Sequence, residues 1–138
     1  MTVIHIIRKY PLSTLCIVGI WVLSLLPFFP ETPLDDVQFI DKWTHLVMYG
    51  VTGIVVWAEY WFRNRNNSRS CISLSSRFLI LSFLLLTLMG GLLEVLQEYC
   101  TTTRNGDWID FLADAAGCAI ATIIGWVFLT RTPRQSVC

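Results

Sequence analysis

Charged side chains are scarce in this chain of 138 residues, of which only 14% are Asp, Glu, Lys or Arg and 54% are hydrophobic. Soluble domains carry about 25% charged residues, so the deficit indicates a membrane protein. A basic excess is missing too, because ten Lys and Arg balance ten Asp and Glu. No basic patch with interleaved aromatic residues is present, and nucleic acid is therefore not an expected partner.

Cysteine patterns that build disulfide frameworks or zinc sites are also missing. The five cysteines are odd in number, and no two of them form a C-x-x-C motif. Cys16 and Cys118 lie inside apolar runs, where cysteine packs as a small apolar side chain. Only one histidine lies near the polar residues described below, so the sequence predicts neither a metal nor a cofactor, and a metal hydrolase built from His45 and the carboxylates stays an alternative with little support.

Four long apolar segments dominate the chain. They cover residues 12–29, 43–62, 78–97 and 108–129. A helix needs about 20 apolar residues to cross a bilayer core, and lipid offers no partner for free backbone groups. The sequence therefore predicts an all-α fold, an integral membrane four-helix bundle that forms a single domain over residues 1–138.

Basic residues are divided unequally between the two sides of these predicted spans. Eight of the ten lysines and arginines lie before the first span, between the second and third, or after the fourth. Only Lys42 and Arg104 lie on the other side. Because basic loops stay in the cytoplasm, both termini are expected to be cytoplasmic.

Polar residues begin the second predicted span. Asp41, His45 and Tyr49 are four residues apart and share a helix face, and Lys42 is close to His45. Helix capping by Asp41 and extension of Lys42 towards lipid headgroups are alternatives to a functional role. His45 is harder to explain in this way, because its imidazole titrates near neutral pH.

The third and fourth spans add polar residues on the same side. Glu94 and Gln97 are three residues apart, and Glu94 lies about one turn inside an apolar run, where a charge usually marks function. Asp107, Asp110 and Asp114 form one stripe of the fourth span. Asp107 and Asp110 suit the N-terminus of a helix, whereas Asp114 lies two turns inside and needs a partner.

Small residues recur at every fourth position of the fourth span, at Ala113, Gly117, Ala121 and Gly125. Such a seam allows close helix packing, so the polar stripes are expected to meet at one site, with Arg104 in the loop above it. Glu59, near the opposite end of the second span, is instead expected to make an ordinary surface pair with Arg63, four residues later.

These polar positions resemble those of the VanZ-like family of small bacterial membrane proteins. The likeness rests on DKWTHLVMYG at 41–50, on E-x-x-Q at Glu94 and Gln97, on Arg104, and on D-x-x-x-D-x-x-G at 110–117. It implies one VanZ-like domain of four helices in the bacterial inner membrane and a link to teicoplanin resistance. It implies no established reaction.

The chain departs from the family pattern in two places. Asp114 stands where the family frequently has Asn, and Thr102 and Thr103 stand where it frequently has Pro-Gly. The extra carboxylate makes the polar site of this chain more acidic than the family pattern.

Three functions remain open. The first is binding, with or without chemical processing, of a membrane lipid, a lipid-linked wall precursor or a lipoglycopeptide at the outer leaflet. The second is non-enzymatic scaffolding or docking of another membrane protein. The third is proton-coupled transport, which four short helices without an inverted repeat disfavour.

The residues predicted to bind share one side of the membrane: Asp41, Lys42, His45, Tyr49, Glu94, Gln97, Arg104, Asp107, Asp110 and Asp114. Acid–base candidates, should the protein be an enzyme, are His45, Glu94, Asp110 and Asp114. Lys42 and Arg104 are expected to hold an anionic headgroup.

Overall fold

The computed structural model describes residues 3–25, 40–64, 76–100 and 107–131. These ranges form five helices and contain no strand, which confirms the all-α prediction. The helices are α1 (Val3–Lys9), α2 (Pro11–Leu25), α3 (Ile40–Asn64), α4 (Ser76–Cys100) and α5 (Trp108–Arg131). Each of the four predicted spans corresponds to one of α2 to α5, and α1 is an additional short helix.

The helices differ in how well they suit a bilayer. Helix α2 has 15 residues and is about 22 Å long, which is short of the about 30 Å of a hydrocarbon core. Helices α3 to α5 have 25, 25 and 24 residues and are long enough. Among the described residues, two segments are also apolar enough to be candidate membrane spans, Ser76–Cys100 and Trp108–Phe128.

Part of the polar content of α3 lies inside the bundle. His45, Thr52 and Glu59 are buried, whereas Trp43 and Val47 are exposed. A surface helix of a soluble protein has the opposite pattern, with apolar residues inside and polar residues outside. Trp43 and Val47 thus give the outer face of α3 large apolar side chains.

The closest helix crossing joins α3 and α5, which run in the same direction. A Cβ atom at Gly117 would collide with the carbonyl oxygen of Leu46 and lie 2.9 Å from the backbone nitrogen of Gly50. One turn further, a Cβ atom at Gly53 would lie 2.7 Å from that of Ala121. The predicted small-residue seam is confirmed at Gly117 and Ala121, because both lie directly against α3.

Apolar residues fill the interior on both sides of this crossing. One buried cluster combines four helices and contains Ile20, Tyr49, Leu86, Leu93 and Cys118. A second contains Trp57 and Leu79. The first cluster lies directly below the N-terminal turns of α3, and these turns carry the polar residues.

Candidate functional site

Polar side chains converge where the N-terminal ends of α3 and α5 meet the C-terminal end of α4. The contacts bring together residues that the sequence places far apart. We call these residues the polar cluster: Asp41, Lys42, His45, Glu94, Asp107, Asp110 and Asp114.

Lys42 lies at the partly exposed end of the polar cluster. Its Nζ lies 2.8 Å from Oδ2 of Asp107 and 2.8 Å from Oδ1 of Asp110. The side chains of Lys42 and Asp107 are 23% and 40% exposed, whereas that of Asp110 is 7% exposed. The hydrogen bond from Lys42 lowers the pKa of Asp107, and the backbone N–H of Ile109 contributes to the same shift. Lys42 therefore links the surface carboxylate to a buried one.

Asp107 caps α5, as the sequence predicts. Its Oδ1 accepts a hydrogen bond of 2.9 Å from the backbone N–H of Ile109. The backbone N–H of Asp107 itself donates to Oε2 of Glu94 at 2.9 Å. Glu94 therefore fixes the end of α4 to the beginning of α5.

The deeper part of the cluster contains one imidazole and two carboxylates. His45 Nδ1 lies 2.9 Å from Asp114 Oδ1 and 3.9 Å from Glu94 Oε1. All three side chains are at least nine-tenths buried. Asp114 Oδ2 is also buried and accepts no hydrogen bond from the described part of the chain.

Gly90 makes room for Asp114. A Cβ atom at position 90 would lie 2.6 Å from Asp114 Oδ2, so any larger residue would displace this carboxylate. Asp114 Oδ2 is therefore turned towards α4, the helix that also carries Glu94.

In the part of the chain that the structure describes, two sets of three residues have metal-binding groups within 4.8 Å of one another. The buried set is His45, Glu94 and Asp114. The other set, Asp41, His45 and Asp110, shares the same histidine. The sequence-based expectation of no metal site rested on that single histidine, and the sequence could not show which carboxylates lie close enough to share a cation with it.

The polar cluster has a surplus of acid. Its five carboxylates face one ammonium group, on Lys42, and one imidazole, on His45. Arg104, the cation expected above the site, lies outside the described residues. Buried carboxylates need a cation, a proton or hydrogen-bond donors, so the cluster is better suited to a cationic ligand than to an anion alone.

Two residues of the predicted binding set lie deeper or make other contacts. Tyr49 is 1% exposed and belongs to the apolar interior below His45. Gln97 is buried, and its Nε2 donates to the carbonyl oxygen of Ser24 at 2.9 Å. This contact joins α4 to α2, whereas the polar cluster joins α3, α4 and α5.

The expected pair of Glu59 and Arg63 is present, but it is not an ordinary surface contact, because Glu59 is buried. Glu59 is buried and accepts hydrogen bonds from Ser13, at 2.9 Å from the backbone nitrogen and 2.7 Å from Oγ. It also accepts a weaker one of 3.4 Å from the backbone nitrogen of Leu12. Arg63 is farther away, with Nε at 3.8 Å from Oε1. Glu59 therefore caps α2 from another helix.

The sequence contains one indication that the N-terminus of α2 needs a cap. Pro11 marks the beginning of a helix, and the first backbone N–H groups of a helix have no partner within it. A carboxylate inside a neighbouring apolar segment is the matching acceptor. The signal shows the need for an acceptor but does not identify Glu59.

Comparison of the chain with protein-family models, with curated proteins and with solved structures gave no significant match. The resemblance to the VanZ-like family therefore stays a prediction, and function is inferred from the polar cluster and its surroundings.

Proposed function

We propose that the chain is a multi-pass protein of the bacterial inner membrane, of VanZ-like type, in which α2 to α5 cross the bilayer and both termini are cytoplasmic. The support comes from the outward faces of these helices, which expose large apolar residues such as Leu15, Val47, Leu88 and Ile123. Soluble monomers rarely expose extended apolar surface of this kind. The unequal distribution of Lys and Arg supports the orientation.

In this orientation the polar cluster faces the outer leaflet. Its function is to bind the headgroup of an amphiphile: a lipid, a lipid-linked wall precursor or a lipoglycopeptide. The observation that carries this proposal is the position of the partly exposed Lys42 and Asp107 beside exposed apolar residues. Trp43, Trp108 and Leu112 are 60%, 81% and 62% exposed. An amphiphile can place its headgroup at Lys42 while its acyl chain lies along this apolar surface.

Scaffolding is a second candidate, and a specific observation favours it. Lys42 joins α3 to α5, and Glu94 joins α4 to α5. A polar cluster that holds three helices together would orient the bundle for another membrane protein even without a ligand. Substitutions in the cluster should weaken ligand binding if it binds an amphiphile, and should lower the melting temperature if it is a scaffold.

Binding of teicoplanin, a lipoglycopeptide, to the purified protein in detergent separates the two functions. Lys42→Ala and Arg104→Ala should each weaken binding about tenfold, the equivalent of one lost charge-assisted contact. Arg63→Ala, at the opposite end of α3, is the control and should leave binding unchanged. The melting temperature of each variant is measured in parallel.

Each outcome has a distinct meaning. Weaker binding by Arg104→Ala at an unchanged melting temperature supports headgroup recognition; Lys42→Ala is expected to lower the melting temperature in either case, because Asp110 loses its cation. A lower melting temperature with unchanged binding supports scaffolding. If Lys42→Ala and Arg104→Ala bind teicoplanin like the parent, and cells producing them keep the same teicoplanin susceptibility, lipoglycopeptide binding at this site is wrong.

A further inference from the structure

Three side chains from three different helices point at one another in the buried part of the polar cluster. His45 comes from α3, Glu94 from α4 and Asp114 from α5, and their ligand atoms lie within 4.8 Å of one another. These are the residue types that bind first-row divalent cations. Because each helix supplies one residue, the arrangement is a product of the fold and not of one local motif.

The distances suit a coordination sphere. Metal–ligand bonds of about 2.0–2.2 Å place neighbouring ligand atoms about 3.0–3.5 Å apart in octahedral or tetrahedral sites. His45 Nδ1 lies 2.9 Å from Asp114 Oδ1 and 3.9 Å from Glu94 Oε1. The two His45 distances lie close to this range, and all three ligand atoms lie within 4.8 Å of one another, so side-chain rotation can bring them around one ion.

A second observation points to a ligand. The side chain of Asp114 is only 1% exposed, so water does not reach it, and its Oδ2 accepts no hydrogen bond from the described residues. Asp114 is paired with His45 through Oδ1, but its second oxygen has no such partner, and buried charges are normally fully paired or coordinate metals. A neutral imidazole and two carboxylates carry a charge of −2, which one divalent cation neutralises.

The overlapping set is a poorer cation site. Its Asp110 already has the ammonium group of Lys42 at 2.8 Å, which would repel a bound cation. The buried set lacks such a competitor among the described residues. Its Glu94 is also held in place, because Oε2 accepts the backbone N–H of Asp107 and leaves Oε1 facing His45. Outer-shell hydrogen bonds of this kind orient metal ligands.

We propose that His45, Glu94 and Asp114 bind one divalent first-row cation of the Mn²⁺ to Zn²⁺ series. The ligands are Nδ1 of His45, Oε1 of Glu94 and the carboxylate of Asp114. The imidazole selects these ions over Mg²⁺ and Ca²⁺, which prefer oxygen ligands alone. Three protein ligands leave at least one position for water or an oxygen atom of a bound molecule. The site does not depend on amphiphile binding.

Mn²⁺ is a suitable probe, because it binds thiols weakly and the described residues include the exposed Cys100. The full chain in detergent is treated with a chelator and titrated with Mn²⁺, and free Mn²⁺ is followed by electron paramagnetic resonance. One ion per chain should bind. Glu94→Gln, Asp114→Asn and His45→Ala should each weaken binding at least tenfold, as loss of one ligand does.

Glu98→Gln is the matched control, because Glu98 is an exposed carboxylate one turn from Glu94 on the same helix. It should bind Mn²⁺ like the parent. Gel filtration and circular dichroism verify that each variant is folded, and Mn²⁺ should raise the melting temperature of the parent but not of Asp114→Asn. No saturable binding to the parent, or equal loss in Glu98→Gln, would overturn the proposal.

Discussion

His45 Nδ1 and Asp114 Oδ1 lie 2.9 Å apart, although 69 residues separate them in the chain. The contact exists because α3 and α5 approach each other closely one turn below it, at Gly50 and Gly117. The geometry of the polar cluster and the small-residue seam are therefore two parts of one arrangement. A change in the seam should alter the cluster.

Gly117→Ala should destabilise the protein by about 1–3 kcal/mol or more, since its Cβ atom would collide with the carbonyl oxygen of Leu46 and α3 would have to move away. Gly19→Ala is the matched control, because a Cβ atom there has nothing within 4 Å. It should be neutral or slightly stabilising, as Ala favours a helix more than Gly. Thermal unfolding in detergent measures both. Equal melting temperatures would mean that α3 and α5 do not cross at Gly117.

Lys42→Met should lower stability more than Asp107→Asn. Removal of the ammonium group leaves the buried Asp110 without its cation, whereas Asp107 is a partly exposed partner whose loss leaves the Lys42–Asp110 contact intact. The double variant Lys42→Met, Asp110→Asn should recover part of the loss, because both charges are then absent. Melting temperatures of the parent, Lys42→Met, Asp110→Asn and the double variant give the coupling. A purely additive double variant would contradict the buried pairing.

Glu59→Gln should destabilise the protein by about 0.5–2 kcal/mol, the range for loss of a helix cap. The amide keeps the shape of the side chain but has one acceptor oxygen where the carboxylate has two. Arg63→Gln is the control and should change stability by less than about 0.5 kcal/mol, because its guanidinium is 43% exposed and 3.8 Å from Glu59. If the control is as damaging as Glu59→Gln, the ion pair and not the cap stabilises this end.

Membrane orientation can be measured with single cysteines at positions 36 and 68 in a cysteine-free background. Both positions lie outside the described residues, and the positive-inside distribution places them on opposite sides. A membrane-impermeant thiol reagent should label the first in intact cells and the second only after lysis. The reverse result would place the polar cluster at the cytoplasmic face and exclude an outer-leaflet ligand.

Local patterns in the sequence predicted several parts of the structure well. Apolar segments gave four of the five described helices, and a carboxylate before the fourth segment correctly predicted the Asp107 cap. The spacing of small residues predicted the close contact at Gly117. Each of these features depends on residues a few positions apart, so the sequence of a single segment is enough to predict it.

Features that depend on the alignment of distant helices were not predictable. The sequence shows that Lys42 and Gln97 are polar residues near one side, but not that they bind Asp110 and Ser24. Those partners follow from how far one helix is shifted along another. The same reason explains why Glu59, four residues from Arg63, has its main contacts 46 and 47 residues away in α2.

The cap on α2 has a consequence for synthesis of the protein. Helix α2 leaves the ribosome before Glu59, and the two are 46 residues apart at the Ser13 contact. If α2 enters a membrane as proposed, water or headgroups must satisfy its first N–H groups until α3 arrives. Exchange of this water for the Glu59 carboxylate would then join α2 to α3.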